Sequence, residues 1–367
     1  MGTSRGQALK IAQVCPRYYP DIGGVETHVR EISERLVKNG HEVEVITTDP
    51  TGKLRKKELI NRVEVTRFRS LAPGDAYYLA PQIYSYLKNS DFDIVHAHSY
   101  HALPALFASL ANSKSKLVFT PHYHRSGHTL FRNILHKPYR SLGKLMFSRV
   151  DKVICVSEYE KKLLCEDFLV SDKVVKIPNG INLDEFKHLK REQKETSEKT
   201  ILYVGRLEEY KGVQYIIRAL PSLPEFRLRI VGSGLYENYL RRLADELQVN
   251  GRIEWLKNLS RGEILRCYAQ ADVFVMLSKH EAYGITVAEA LAAGTPCIVA
   301  KGSALEEFVD GDGCIGIVEP VTTDILVKSL NRVGLIKIDR KSNINHYSIY
   351  DWSLIIEKTA DIYRCIL

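Results

Sequence analysis

Residues 271–300 read ADVFVMLSKHEAYGITVAEALAAGTPCIVA. The apolar run DVFVML (272–277) has the length and composition of a buried strand, and TPCIVA (295–300) of a second. Between them, a polar loop carrying Glu281 and Gly284 runs into a helix that begins near Ile285 and Thr286. Buried strands alternating with helices build parallel α/β sheets.

The same alternation extends outward on both sides. TILYVGR (200–206), RLRIVGSG (227–234), RIEWL (252–256) and CIGIVE (314–319) are further strands of this half. Residues 187–200, KHLKREQKETSEKT, are almost wholly polar and mark a linker or solvent-exposed joint. Before it, LKIAQVCP (9–16), HEVEVITT (41–48), VEVTRF (63–68), DIVHAHS (93–99), KLVFTPH (116–122), DKVICVS (151–157) and VVKIPNGI (174–181) repeat the pattern. A helix over about 27–38 follows the first of these strands. Each half therefore reads as a doubly wound sheet. Residues 351–367 form an amphipathic helix with Trp352, Ile355, Ile356, Ala360 and Tyr363 on one face, which either domain could bury.

Composition is consistent with two domains. The chain has 367 residues and 45% hydrophobic content. No apolar run reaches about 18 residues, which excludes a polytopic membrane protein. Seven irregularly spaced cysteines without a Cys-x-x-Cys pair point to free thiols in a reducing compartment, and away from structural zinc. The first ten residues show no signal-peptide core, so a cytoplasmic protein is expected, with contact at a membrane surface left open. The net charge of +8 is unevenly placed: residues 1–180 hold 27 Lys+Arg against 18 Asp+Glu, and 181–367 hold 25 against 26.

Ligands of open α/β sheets bind at the carboxyl ends of strands, so the loops there carry the chemistry. Gly23-Gly24 allows close backbone approach at a helix start that favours an anion, though the pair also fits an ordinary turn and is no GxGxxG fingerprint. Arg206 and Lys211, beside Gly205 and Gly212, can clamp a diphosphate as a planar fork and a point charge, or form a solvated surface pair. Gly232-Ser233-Gly234 reads as a tight turn. Glu281 and Glu289 flank a helix start whose Gly284, Ile285 and Thr286 amides face the same ligand, an arrangement suited to one bearing both hydroxyls and phosphates. A first-turn glutamate and a surface glutamate would give the same spacing.

His122 ends a strand close to His124 and His128; a polar contact to a small substrate fits this loop better than a metal trio. His96 and His98 share one side of a strand and read as lining or structural residues. The Asp91-Phe92-Asp93 and Asp310-Gly311-Asp312 triplets read as a strand start and a turn rather than as metal sites.

In this order, the pieces resemble the GT-B-fold glycosyltransferases of family four, which use nucleotide sugars with retention. The matching segments are PRYYPDIGGVETHV, DIVHAHSY, FTPHYH, VICVSE, IPNGIN, LYVGRLEEYKG, IVGSG and 271–300, with Glu-x7-Glu in its setting the most specific. The resemblance implies two Rossmann-like domains facing each other across a cleft. These would be an acceptor domain of 1–182 plus 351–367, with the last helix returning to it, and a donor domain of 183–350. It further implies that Gly23 and Gly24 approach the donor diphosphate and that His122 contacts the transferred sugar. Arg206 and Lys211 would neutralise the leaving group. Glu281 would hold sugar hydroxyls beside the Gly284, Ile285 and Thr286 amides, and Glu289 would hold the ribose. The chain departs from the family at Ala282-Tyr283, where Gly-Phe or Pro-Phe is frequent, and at Lys257, where glycine is common.

Two cations and a set of amides can stabilise a departing diphosphate without a metal, so no metal or other cofactor is expected. Residues 122–149 carry Arg125, Arg132, Lys137, Arg140, Lys144 and Arg149, no acidic residue, and interleaved apolar side chains. This pattern suits an anionic membrane surface and a lipid-linked or phospholipid acceptor, or else a partly buried helix with a solvated basic face. The expected partners are a nucleoside-diphosphate sugar and a glycan or lipid-linked acceptor, with no nucleic acid. A sugar-nucleotide epimerase, a glycosyl phosphorylase and a non-catalytic nucleotide-sugar binder share the fold and are the alternatives.

Overall fold

The structure is a computed structural model. It describes residues 7–74, 76–111, 114–125, 130–189, 198–333, 344, 346, 347 and 349–367, with the backbone alone over 130–139. The chain divides into two compact units, Met1–Asn179 with Trp352–Leu367, and Gly180–Asp351. The division thus falls a few residues before the expected join at 182, and outside the polar stretch 187–200.

Among the described residues, the first unit is built on eight strands: β1 (Lys10–Val14), β2 (Glu42–Asp49), β3 (Lys57–Ile60), β4 (Val63–Arg69), β5 (Ile94–His98), β6 (Lys116–Thr120), β7 (Lys152–Cys155) and β8 (Val174–Lys176). Their order across the sheet is β3-β4-β2-β1-β5-β6-β7-β8. All neighbours are parallel except β3 and β4. β1 and β5 are buried along nearly their whole length, as strands with helices on both faces must be. β3 escaped the sequence reading because KELI alternates exposed and half-buried residues at the sheet edge. Its turn places Asn61 and Arg62 at φ 49° and 70°, the left-handed pair of a tight hairpin, without the glycine that usually signals one.

The helices of this unit are α1 (Gly24–Lys38), α2 (Gln82–Lys88), α3 (Leu103–Leu110), α4 (Leu130–Arg149) and α5 (Glu158–Phe168). α1 starts three residues earlier than its apolar pattern indicates. The returning C-terminal helix is described with this unit. It buries Trp352, Ile355, Ile356, Thr359, Ala360 and Tyr363, the predicted face plus one threonine. The Tyr363 hydroxyl lies 3.2 Å from Gln13 Nε2 of β1 and 2.7 Å from His96 Nδ1 of β5.

The second unit contains β9 (Lys199–Val204), α6 (Val213–Ala219), β10 (Phe226–Val231), α7 (Glu237–Glu246), β11 (Ile253–Leu256), α8 (Arg261–Gln270), β12 (Val273–Met276), α9 (Ile285–Ala292), β13 (Cys297–Ala300), β14 (Cys314–Ile317) and α10 (Thr323–Val333); the returning helix Trp352–Ile366 is α11. Its parallel sheet has the order β11-β10-β9-β12-β13-β14. The strand order reverses between β9 and β12, so the loops after these two neighbours emerge side by side at the carboxyl edge. Gly205 and Gly232, at φ 156° and 150°, end β9 and β10 with their backbones in direct contact, which leaves no room for a Cβ at 232. All seven cysteines are free thiols.

Candidate active site

The loop after β9 carries Arg206 and Lys211, and the loop after β12 carries Glu281. Lys211 Nζ is ion-paired with Glu281 Oε1, both side chains being largely buried. The ammonium also lies 5.2 Å from the centroid of the Tyr210 ring. Burial works against the Lys211 charge, but the Glu281 carboxylate and Tyr210 outweigh it and hold the lysine above its ordinary pKa. Two residues seventy positions apart are thus joined as a cation held charged, because β9 and β12 are neighbours. Arg206 is exposed and reaches the Tyr210 hydroxyl at 3.2 Å.

Gly284, at φ 107°, is the N-cap of α9. Ile285 and Thr286 are the helix's first residues, whose N–H groups have no acceptor within the helix and favour an anion. Tyr283 is buried against Phe308, so the substitution at this position extends the core. Glu289 is buried one turn further on rather than at the surface. Arg261 lies 2.6 Å from its Oε1, and the Tyr268 hydroxyl donates to Oε2 at 3.0 Å. Arg261 also pairs with Glu185 at 2.7 Å. Burial raises the Glu289 pKa in spite of these partners. Ser260 and Glu263 cap α8 reciprocally and so fix Arg261 as its first residue. Glu289 therefore already accepts from Arg261 and Tyr268, partners that the Glu-x7-Glu spacing does not show. Lys257 pairs with Glu237 at 2.7 Å.

In the first unit, Gly23 is extended at φ −170° and is the N-cap of α1, and Gly24 is the first helical residue. Neither adopts the left-handed conformation that would demand glycine. The Glu26 carboxylate packs on Gly23 and accepts from Arg17 Nε at 3.0 Å. A carboxylate therefore already occupies the helix start where a phosphate was expected.

His122 follows β6 in a left-handed backbone conformation, φ 48°. It meets His28 of α1, ring centroids 5.0 Å apart, and His98 of β5 at 6.2 Å. His28 was missed because it lies inside an amphipathic helix pattern, where a lone histidine carries no signal. His96 and His98 do share one side of β5, but their roles differ: His96 is hydrogen-bonded on both nitrogens, to Tyr363 at 2.7 Å and Thr120 at 2.8 Å, whereas His98 faces the other two histidines. His124 instead stacks on His101 at 4.2 Å, and His128 lies outside the described residues.

The aspartates of both triplets have partners within the protein. Asp93 accepts from the Lys10 amide at 2.8 Å and Asp91 pairs with the Lys10 ammonium at 3.0 Å, while Asp310 accepts from the Asp312 and Cys314 amides at 3.0 and 2.9 Å.

The basic segment is only partly a free face. Arg125 pairs with Asp167 at 2.9 Å and Glu166 at 2.5 Å, and Arg140 with Asp167 at 2.9 Å. α5 thus supplies the acids that 122–149 lacks, and Arg125 and Arg140, expected as membrane or acceptor contacts, are ion-paired within the first unit. The Arg125 and Arg140 charges hold Asp167 below the ordinary aspartate pKa against the effect of burial. Met146 and Phe147 are in the core, and Gly143 packs against Tyr100 and Phe168. Lys144 is exposed, as are Leu142 and Leu145 at 39% and 38%. The side chains of Arg132 and Lys137 lie outside the described residues. Among the described residues no helix is long and apolar enough to cross a membrane.

Two parallel α/β units with this loop chemistry define a GT-B glycosyltransferase. Residues 22–185 match the model of Glycosyltransferase Family 4, and residues 184–345 that of Glycosyl transferases group 1. An uncharacterized glycosyltransferase of Methanocaldococcus jannaschii is 31% identical over 97% of this chain and 98% of its own. The chain belongs to the family-four, group-1 glycosyltransferases. The phosphatidylinositol N-acetylglucosaminyltransferase GPI3 subunit of Saccharomyces cerevisiae is 24% identical over 98% of this chain and 83% of its own. Among solved structures, Anabaena Alr3699/HepE in complex with UDP and glucose superposes with a TM-score of 0.79 at 17% identity, covering 97% of this chain and all of that one, 100%.

Proposed function

We propose that this glycosyltransferase moves a sugar with retention from a nucleoside-diphosphate sugar to an acceptor hydroxyl on a lipid-linked or membrane-associated molecule. The observation that carries the reading is the buried Lys211–Glu281 pair at the switch point of the second sheet. An ammonium has three donors, so Lys211 can keep Glu281 and still donate to a phosphate oxygen. As the anomeric C–O bond breaks, its electron pair moves onto the diphosphate. Lys211, Arg206 and the Ile285 and Thr286 amides meet that charge, with no metal assigned to the diphosphate. Glu281 accepts from sugar hydroxyls, and Glu289 accepts from the ribose at lone pairs that Arg261 and Tyr268 leave open. In the first unit, His122 contacts the transferred sugar, and the backbone at Gly23 and Gly24 meets the donor phosphates once the Glu26 carboxylate swings off Gly23. The acceptor oxygen attacks the face that the diphosphate leaves, and the departing phosphate oxygen takes its proton.

Denaturation midpoints measured with UDP, GDP, ADP and their sugars test the donor class. One nucleotide is expected to raise the midpoint clearly above the others. No stabilisation by any of them would remove the nucleotide-sugar reading, and an isomerised or phosphorolysed sugar as product would replace transfer.

The lipid side of the proposal is supported by the exposed Leu142, Lys144 and Leu145 of α4 and by the phosphatidylinositol in the name of the yeast relative. One basic residue near an anionic surface contributes about 1 kcal/mol. Sedimentation with anionic vesicles is therefore expected to retain the protein, and Lys144→Ala to weaken retention about 5-fold. Equal binding to neutral and anionic vesicles would sink the membrane role.

A further inference from the structure

β10 and β11 are neighbours, so the loops that follow them emerge side by side at the carboxyl edge of the second sheet. The first leads into Glu237, which opens α7, and the second begins with Lys257. Lys257 Nζ lies 2.7 Å from Glu237 Oε2, and Arg241 Nε lies 2.9 Å from Glu237 Oε1. Burial works against the Glu237 charge, but Lys257 and Arg241 outweigh it and hold the carboxyl below its ordinary pKa. Arg241 covers the Trp255 ring, with its guanidinium carbon 4.4 Å from the ring centroid. The Glu237 side chain is only 12% exposed, whereas its partner Lys257 is 45% exposed. A ligand at this loop therefore meets the ammonium and not the carboxylate.

The same loop runs on to Arg261, the first residue of α8. The Arg261 guanidinium is held from two sides, by Glu185 Oε2 at 2.7 Å and by Glu289 Oε1 at 2.6 Å. The Phe186 ring centroid lies 5.9 Å from its Cζ. With its N–H groups fixed by two carboxylates and its side chain still 40% exposed, Arg261 presents a flat cation of set orientation. Such a plane stacks on aromatic faces, those of nucleobases included.

The donor reading above, on which this inference rests, puts the diphosphate at the Ile285 and Thr286 amides and the ribose at Glu289, one turn further into α9. A base leaves the ribose on the side away from the phosphates. The neighbours that Glu289 has beyond its own helix are Arg261 and Tyr268, both of α8, so the base is directed to the start of α8 and the loop before it. We infer that Lys257 determines the donor base: it selects one with an exocyclic carbonyl oxygen, uracil or guanine, over adenine, while Arg261 supplies the plane on which the base stacks. An ammonium has three donors and no acceptor, so Lys257 can keep Glu237 and still donate to that oxygen. Adenine carries an amino group in the corresponding place, and two groups of donors facing each other make no bond.

The test is calorimetric titration of the full chain with UDP, GDP, ADP and inorganic pyrophosphate. UDP or GDP is expected to bind about 10-fold more tightly than ADP, the effect of one hydrogen bond from a charged group, and the tighter of the two identifies the base. Lys257→Met should remove the preference, weakening that nucleotide about 10-fold and leaving ADP unchanged. Glu237 keeps Arg241 in this variant, so a melting temperature close to that of the wild type is expected. Arg261→Lys keeps a cation beside the buried Glu289 and loses the plane. It should weaken the preferred nucleotide about 10-fold, while pyrophosphate, which has no base, binds as before. ADP bound as tightly as UDP and GDP by the wild type would overturn the base selection alone, as would a preference that survives Lys257→Met. Pyrophosphate bound as tightly as all three nucleotides would refute the nucleotide-sugar reading itself, and the base selection with it.

Discussion

Replacing Lys211 by alanine is expected to lower turnover by about 10²–10³-fold, the effect of losing one preorganised group aimed at developing negative charge. The loss should fall on kcat more than on KM, because the diphosphate gains charge as the bond breaks. The substitution also leaves Glu281 largely buried beside an alanine, so folding must be measured together with rate. A Lys211→Ala protein with a near-normal melting temperature and the expected loss of kcat assigns the cation to the leaving group. Glu281→Gln provides the complementary case: Lys211 stays, its partner is neutral, and sugar binding weakens. Unchanged turnover in Lys211→Ala would remove the residue from the mechanism.

The second large effect is expected at Gly212, which stands between Lys211 and α6. Gly212 has φ 78°, and a Cβ there would lie 2.5 Å from the Leu277 carbonyl oxygen and 2.7 Å from the Leu277 Cβ. Gly212→Ala therefore combines a left-handed backbone penalty with an overlap in a packed contact, together about 2–4 kcal/mol. The melting temperature should fall by roughly 5–10 °C. Leu277 follows β12 and Gly212 follows β9, so relieving the overlap moves apart the two loops that pair Lys211 with Glu281. Turnover should drop with stability. Gly262→Ala is the control: nothing lies within 4 Å of its would-be Cβ, and its helical position predicts no loss of stability. A Gly212→Ala enzyme with wild-type melting and turnover would show that this close approach does not position the lysine.

Much of the second unit could be read in the chain. Strand β12, the loop with Glu281, and the start of α9 at Ile285 all lie in one continuous stretch, and buried runs with a glycine before a helix announce themselves locally. The face of α11 could be read for the same reason, since a helix repeats its buried positions every three or four residues. β3 could not, because an edge strand needs no apolar run. Nor could the partners of Arg125 and Arg140: Asp167 and Glu166 lie far along the chain, so charge counted within 122–149 described a segment rather than a surface.

By itself the sequence determined two parallel α/β domains and a donor loop of cations, glycines and glutamates, because periodicity and residue type are local properties. Only the tertiary structure decided how those groups are used. Sheet order placed β9 beside β12 and so joined Lys211 to Glu281, and α8 brought Arg261 onto Glu289. The fold likewise gathered His28, His98 and His122 from a helix, a strand end and a loop. Pairing a buried charge or satisfying a buried lone pair depends on distances across the fold, which separation along the chain does not set.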